Sequence, residues 1–202
     1  MSPCAIMGTV ADLEEQIRGE LERIQPVIEE ITGLTSRWNG KVELVPDLGY
    51  SGIKRSSCMI VMDVSLVGDA LRWRTSIHEL LHAVSAGYTR SDYRVLRGWE
   101  EGVVEQLQRL IRPSLLNRIG VVVPNDFFGA AEVFHPFNHY IEALEELRGE
   151  LALPEFDFYR NLLRTPIRRR PTSMFELRST LSGEQQRSFL ETFARAHATL
   201  RR

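Results

Sequence analysis

The chain is organised around one short run, His78-Glu79-Leu80-Leu81-His82. Residues four apart lie on one face of an α-helix, so a helix here would place the two histidines one turn apart, where both imidazoles can bind one zinc ion. Glu79 would then lie beside the metal without binding it, and its carboxylate could take a proton from a zinc-bound water. The pattern requires a helical context and a third ligand.

Signals on both sides of this run predict the helix. Asp69 follows Gly68 and is a candidate N-cap, and Gly87 is a candidate stop after the last turn. Between them, apolar residues recur at helical spacing and predict a face that packs against a core. These residues are Ile77, Leu80, Leu81 and Val84.

A third ligand is available downstream. Glu101 follows His82 with 18 residues between them, and Glu105 lies one helical turn further on the same face. Two histidines and one carboxylate leave a fourth position open to water, as catalytic zinc sites require. Glu105 is expected to accept the outer N–H of a ligand histidine and so to orient it.

These positions carry a resemblance to a known family. The residues His78, Glu79, His82 and Glu101 match H-E-x-x-H-x18-E, and residues 99–105 resemble the stretch W-x-E-G-x-x-E. The chain therefore resembles the gluzincin metallopeptidases, which include thermolysin and the neutral aminopeptidases, over residues 57–111. The resemblance implies a compact zincin-like fold, one catalytic zinc, Glu79 as general base and peptide-bond hydrolysis.

Departures from the family narrow the expectation. The G-x-M-E-N segment of the aminopeptidases and the N-A-x-W strand of thermolysin are missing from the sequence. The metzincin extension also fails, because Ser85 and Tyr88 stand where Gly and His would be required. The resemblance thus favours an endopeptidase over an aminopeptidase.

A peptidase also needs a hydrogen-bond donor for the oxyanion that forms on the scissile carbonyl. Related enzymes supply a Tyr or His from the lobe after the metal-binding helices. His135, His139 and Tyr140 are the candidates in this chain, and no motif singles out one of them.

The predicted fold class is α+β, with one domain over residues 1–202. The upper lobe, to about residue 87, is expected to contain a backing helix at 9–32, strands at 41–46 and 57–66, a loop at 47–55 and the active-site helix. The lower lobe, 88–202, is expected to be helical. It would begin with a loop at 88–96 and a helix at 98–112 that Pro113 ends.

Several segments of the chain leave alternatives open. The strand at 57–66 is either a sheet edge that lines the cleft or an interior strand, and Cys58 would lie on its apolar face. The basic run at 168–170 either holds an acidic peptide or is a solvated loop. Cys4 could cap the metal and cause latency, or belong to an inert terminus.

Bulk properties limit the classes of partner. The 202 residues carry a net charge of −2 and are 43% hydrophobic, as in an ordinary globular domain. This charge gives no reason to expect nucleic acid or a membrane surface as partner. Without an apolar run of 18 residues or a signal-peptide pattern, the sequence favours a cytoplasmic location. A peptide or protein substrate is the expected partner, and the oligomeric state stays open.

Two other classes of function compete with the peptidase. One is a zinc-binding pseudoenzyme or interaction protein with a zincin fold, and the presence of Glu79 argues against it because a purely structural metal site does not need that residue. The other is a helical interaction module that binds no metal.

Overall fold

The computed structural model describes residues 9–201, apart from the side chain of Asn125. Cys4 lies outside the described residues. Within this range the chain is α+β, as predicted. Three short strands are present: β1 (Val42–Val45), β2 (Gly52–Lys54) and β3 (Ile60–Asp63). The α-helices are α1 (Val10–Thr32), α2 (Leu71–Val84), α3 (Arg90–Val95), α4 (Arg97–Arg118), α5 (Asn125–Val133), α6 (Asn138–Glu150), α7 (Glu155–Arg164), α8 (Arg170–Glu176) and α9 (Gly183–Leu200).

Helix α1 confirms the predicted backing helix. Thr9 caps it by a reciprocal pair of bonds, in which the Asp12 N–H donates to Thr9 Oγ1 and the Thr9 N–H donates to the Asp12 carboxylate. The helix continues through Pro26 and ends at Gly33, whose φ of 68° is the left-handed conformation that favours glycine. The apolar side chains that α1 buries are Ile17, Leu21, Ile24, Val27 and Ile28.

The three strands form one mixed sheet in the order β1-β3-β2. Strand β3 is central, parallel to β1 and antiparallel to β2. All of Ile60, Val61 and Met62 are buried, because both faces of this short strand are covered. The interior alternative for this strand is therefore the correct one, and β2 forms the sheet edge beside α2.

Two predictions about this sheet are wrong. Strand β3 is shorter than the predicted 57–66, because Cys58 adopts a φ of 61° in the turn before it and a 3-10 turn follows at Val64–Leu66. Cys58 therefore does not lie on the face of the strand. The predicted loop at 47–55 contains β2. This strand has only three residues and lies close to glycines, so its sequence does not show the alternation expected of a strand.

Helix α2 carries the histidine pair and packs against both α1 and α4. The N-cap of this helix is Ala70, one residue after the predicted Asp69. The side chain of Asp69 still accepts a hydrogen bond from the Leu71 N–H at 2.8 Å and so supports the start of the helix. The helix ends at Val84, three residues before Gly87, which adopts a φ of 62°.

Helix α4 lies at the centre of the helical part. It continues through Pro113 to Arg118, so the prediction that Pro113 ends it is wrong. Packing compensates for the lost hydrogen bond, because Leu115 and Leu116 are buried beyond the proline and the buried Arg112 bonds Gln108 and Glu132.

Two further segments differ from prediction. Residues 88–96 contain α3, which Thr89 caps by accepting from the Asp92 N–H. In the run 168–170, Arg170 is fully buried at the start of α8 while its two neighbours are exposed, so the solvated-loop interpretation is wrong for Arg170. No helix among residues 9–201 combines the length and apolar character needed to span a bilayer.

Candidate metal centre

Helices α2 and α4 bring three side chains together. His78 and His82 come from α2 and Glu101 from α4, and one ligand atom of each lies within 4.8 Å of the others. The two Nε2 atoms are 3.1 Å apart, and Glu101 Oε2 is 3.3 Å from Nε2 of His78 and 3.4 Å from Nε2 of His82. All three residues are buried.

Each histidine has a carboxylate behind it. His78 Nδ1 lies 3.2 Å from Oε2 of Glu105, and His82 Nδ1 lies 2.8 Å from Oε1 of Glu100. A carboxylate that accepts from Nδ1 fixes the neutral tautomer with the lone pair on Nε2. When both rings are neutral, their Nε2 lone pairs therefore point into the same small space.

This arrangement fits a bound cation. When both rings are neutral, two lone pairs converge at 3.1 Å, and the buried oxygen Glu101 Oε2 then has no hydrogen-bond donor. Unpaired acceptors this close repel one another in the neutral state, whereas a divalent cation satisfies all three. Two imidazoles and one carboxylate are a donor set that zinc accepts with one position left open.

Buried charges hold the carboxylate behind His78. Glu105 has no exposed surface and accepts from Arg74 at 2.8 Å and from Arg109 at 2.9 Å. Burial opposes its charge, but His78 and Arg74 outweigh burial and lower the pKa of Glu105. Glu105 is thus where the sequence placed it, and it stays ionised.

The carboxylate behind His82 belongs to an arrangement that the sequence analysis missed. Arg170, fully buried, donates to Glu100 Oε2 at 2.7 Å and to Ser85 Oγ at 2.8 Å, and Ser85 Oγ donates to Glu100 Oε2 at 2.9 Å. Burial opposes the charge of Glu100, but Arg170 and His82 outweigh burial and lower its pKa. The signal available in the sequence was a second acidic residue directly before Glu101.

Glu79 is buried next to this cluster, and its side chain does not belong to the set of converging ligand atoms. Burial is the main cause that raises the pKa of Glu79, and the charge of Glu101 adds to it, while the two histidines act in the opposite direction. A carboxyl group with a raised pKa, beside a metal site, can accept a proton and return it.

The three candidate oxyanion donors separate in the structure. His135 lines the same cavity as His78 and Glu79, whereas His139 is exposed and the buried ring of Tyr140 packs against Gly98. Burial lowers the pKa of His135 to about 4, so its ring is neutral. Its Nδ1 accepts from the Phe137 N–H at 3.4 Å, which leaves the proton on Nε2.

Two tyrosines near the site were not singled out by the sequence. The ring centroids of Tyr88 and Tyr93 lie 5.9 Å and 6.3 Å from that of His82, and the Tyr93 hydroxyl donates to Glu101 Oε1. Burial raises the pKa of both phenols, which keeps them protonated as donors. They belong to the segment predicted as a featureless loop, where the Thr89 cap of α3 was the available signal.

The site opens into two cavities of about 380 Å³ and 250 Å³. Both are lined by His78, Glu79, Tyr50, Gly52 and Phe137, so together they form one cleft that passes the cluster. Edge strand β2 is one wall of this cleft.

Comparison of the chain with family models, with curated proteins and with solved structures finds no match. The site is therefore interpreted from its own geometry. It combines a buried donor set for one cation, a carboxylate behind each histidine, and an uncoordinated carboxyl group on an open cleft.

Proposed function

We propose that this protein is a zinc-dependent metallopeptidase with a zincin-like fold, and an endopeptidase in preference to an aminopeptidase. The observation that carries the proposal is the convergence of two Nε2 lone pairs and the unpartnered Glu101 Oε2, with Glu79 buried beside them on a cleft. A purely structural site would close around its metal, and it would need no such carboxyl group.

The residues divide into binding and proton-transfer roles. His78, His82 and Glu101 hold the zinc, which when bound supplies Lewis acidity towards water and a carbonyl oxygen. Glu79 accepts the proton of the attacking water and then delivers it to the leaving amine. Its raised pKa suits both halves of this transfer.

One residue of the cleft lining can donate to the developing oxyanion. The neutral His135 lines the cavity with its proton on Nε2, whereas the single proton of the Tyr93 hydroxyl is already donated to Glu101 Oε1. Donors aimed at developing charge in a water-poor site typically contribute about 10²- to 10³-fold in rate. We therefore assign this role to His135 among the residues available.

Edge strand β2 supports binding of an extended peptide. Ser51 accepts from the Asp63 N–H and the Arg55 N–H donates to Met59, so residues 51, 53 and 55 use their backbone groups towards β3. The intervening Gly52 and Lys54 turn theirs to the outer edge beside the cleft, where the Lys54 N–H faces Glu79. A substrate backbone can bind there by strand addition.

A peptide library tests the proposal. Zinc-loaded protein is incubated with a degenerate peptide mixture, with and without chelator, and the products are read by mass spectrometry. We expect cleavages at internal bonds that disappear with chelator and return with added zinc. Cleavage that survives chelation, or no cleavage by a zinc-loaded folded protein, contradicts the proposal.

A further inference from the structure

One cation in the cleft has no assigned role. Lys54, on edge strand β2, is only 5% exposed, and among the described residues its Nζ has neither an ion pair nor a hydrogen bond. Its Nζ lies over the face of Tyr88, 3.6 Å from the ring centroid. The chain contains just two lysines against 23 arginines, the other being the exposed Lys41.

The carboxylates nearest to Lys54 are already engaged. Glu100 and Glu79 are the carboxylates whose charges act on Lys54. Glu100 is held by Arg170 and Ser85, and Glu79 is assigned to proton transfer. Arg97 lines the same cavity, is about half exposed, and lies 4.0 Å from Glu101 Oε1 and over the ring of Phe137. Of the two cationic side chains that share this cavity, Arg97 pairs with Glu101, and Lys54 has no carboxylate of its own among the described residues.

Burying most of a lysine side chain without a paired carboxylate is costly. Burial is the main cause that lowers the pKa of Lys54. An anion that enters the cavity would restore the lost interaction, and the aromatic rings of Tyr88 and Tyr93 would cover the apolar part of its side chain. The cavity of about 250 Å³ has room for one side chain.

We propose that this cavity binds a carboxylate of the peptide substrate, with Lys54 as its principal partner and Arg97 at the mouth. The inference rests on the proposed peptidase function and names the substrate class for it: a peptide with a carboxylate close to the scissile bond. The carboxylate belongs either to a Glu or Asp side chain or to a free C-terminus, and both present the same chemistry to Lys54.

Binding to a slow variant tests this without relying on turnover. The protein is zinc-loaded Glu79→Gln, and the probes are acetylated and amidated heptapeptides of Ala and Leu with a single Glu, or a single Gln, at each position in turn. A third probe has the same sequence with a free C-terminal carboxylate. Affinities are measured by isothermal titration calorimetry.

We expect one carboxylate-bearing probe to bind at least about tenfold more tightly than its uncharged match, the equivalent of about 1.4 kcal/mol. The position of that carboxylate identifies its source as a side chain or a terminus. Adding Lys54→Met should abolish the difference, Lys54→Arg should keep part of it, and the exposed control Lys41→Met should keep all of it.

Two results overturn the inference: equal affinity for charged and uncharged probes, or a preference that survives Lys54→Met in a protein with unchanged circular dichroism. The outcome is separable from that of the proposed function. A charge preference without cleavage by the wild type would contradict the peptidase and keep the carboxylate site, whereas cleavage without a charge preference would do the reverse.

Discussion

His82 and Glu100 are joined by a 2.8 Å contact between Nδ1 and Oε1, and the other oxygen of Glu100 is held by the fully buried Arg170. Through Glu100, a candidate metal ligand on α2 is therefore connected to Arg170, which lies 70 positions after Glu100 in the chain. The orientation of His82 therefore depends on how α8 docks against α4. The metal centre is thus built from α2 together with the helical part of the chain that follows it.

Removing the arginine should damage both stability and metal binding. In Arg170→Met the carboxylate of Glu100 stays buried without its partner, and such losses typically cost about 3–5 kcal/mol of unfolding free energy. Zinc affinity should fall by roughly 10- to 100-fold because the carboxylate that orients His82 is no longer held. Urea unfolding and a competitive zinc titration measure the two effects.

The double variant Arg170→Met/Glu100→Gln is the matched control. It removes the uncompensated charge, so it should recover part of the stability lost in Arg170→Met. A double variant that is less stable than the single one would show that the charge pair is not what Arg170 contributes.

Metal content depends on the three converging side chains. We expect about one zinc per chain in the wild type and a large loss in His82→Ala and Glu101→Ala. His139→Ala is the control, because this histidine is exposed and outside the cleft lining. Elemental analysis after dialysis against zinc gives the result, and a wild type that stays metal-free in excess zinc would refute the site.

Zinc should stabilise the protein more as pH rises. In the metal-free protein burial opposes protonation, but Glu101 and the carboxylates behind the histidines raise the pKa of His78 to about 8 and of His82 to about 10. The usual pKa of a histidine is 6.5, so above pH 6.5 the folded metal-free state binds more protons than the unfolded state does. This proton binding stabilises the folded metal-free state fully below pH 6.5. The stabilisation is lost as pH rises through the raised pKa values of the two histidines, about 8 and about 10.

Bound metal needs unprotonated histidines, so protons compete with it. The increase in melting temperature on adding stoichiometric zinc should therefore be larger at about pH 8.5 than at about pH 6.5. Differential scanning fluorimetry at the two pH values measures it. An increase that is equal at both, or smaller at the higher pH, would contradict the assigned protonation.

A glycine on α4 tests the packing that positions Glu101. A Cβ added at Gly102 would lie 2.8 Å from Leu144 Cδ1 and 3.0 Å from Tyr140 Cβ, so Gly102→Ala should cost about 1–3 kcal/mol of stability. Gly149→Ala, in α6, meets nothing within 4 Å and should be neutral or slightly stabilising. Urea unfolding of both variants compares them, and a fully stable Gly102→Ala would show that α6 can move away.

The local part of the site could be predicted from the sequence because helical spacing alone fixes it. One turn separates His78 from His82 and Glu101 from Glu105, so each pair had to share a helix face. Glu100 and Arg170 could not be paired in this way, since their contact depends on the docking of α8.

Other features could not be predicted from the sequence for the same reason. The three residues of β2 carry no periodicity, and they become a strand only because β3 pairs with them. Pro113 reads as a helix stop, yet burial of the following turn outweighs one missing hydrogen bond. In each case tertiary contacts, which a local pattern does not contain, decided the outcome.

The central claim is that Glu79 transfers a proton in peptide hydrolysis, and Glu79→Gln tests it most directly. Glutamine keeps the size and helix propensity of glutamate but cannot accept the proton, so zinc content and melting temperature should match the wild type. We predict that the zinc-loaded variant cleaves a peptide substrate at least roughly 100-fold more slowly. Equal zinc content with undiminished cleavage would contradict the role assigned to Glu79.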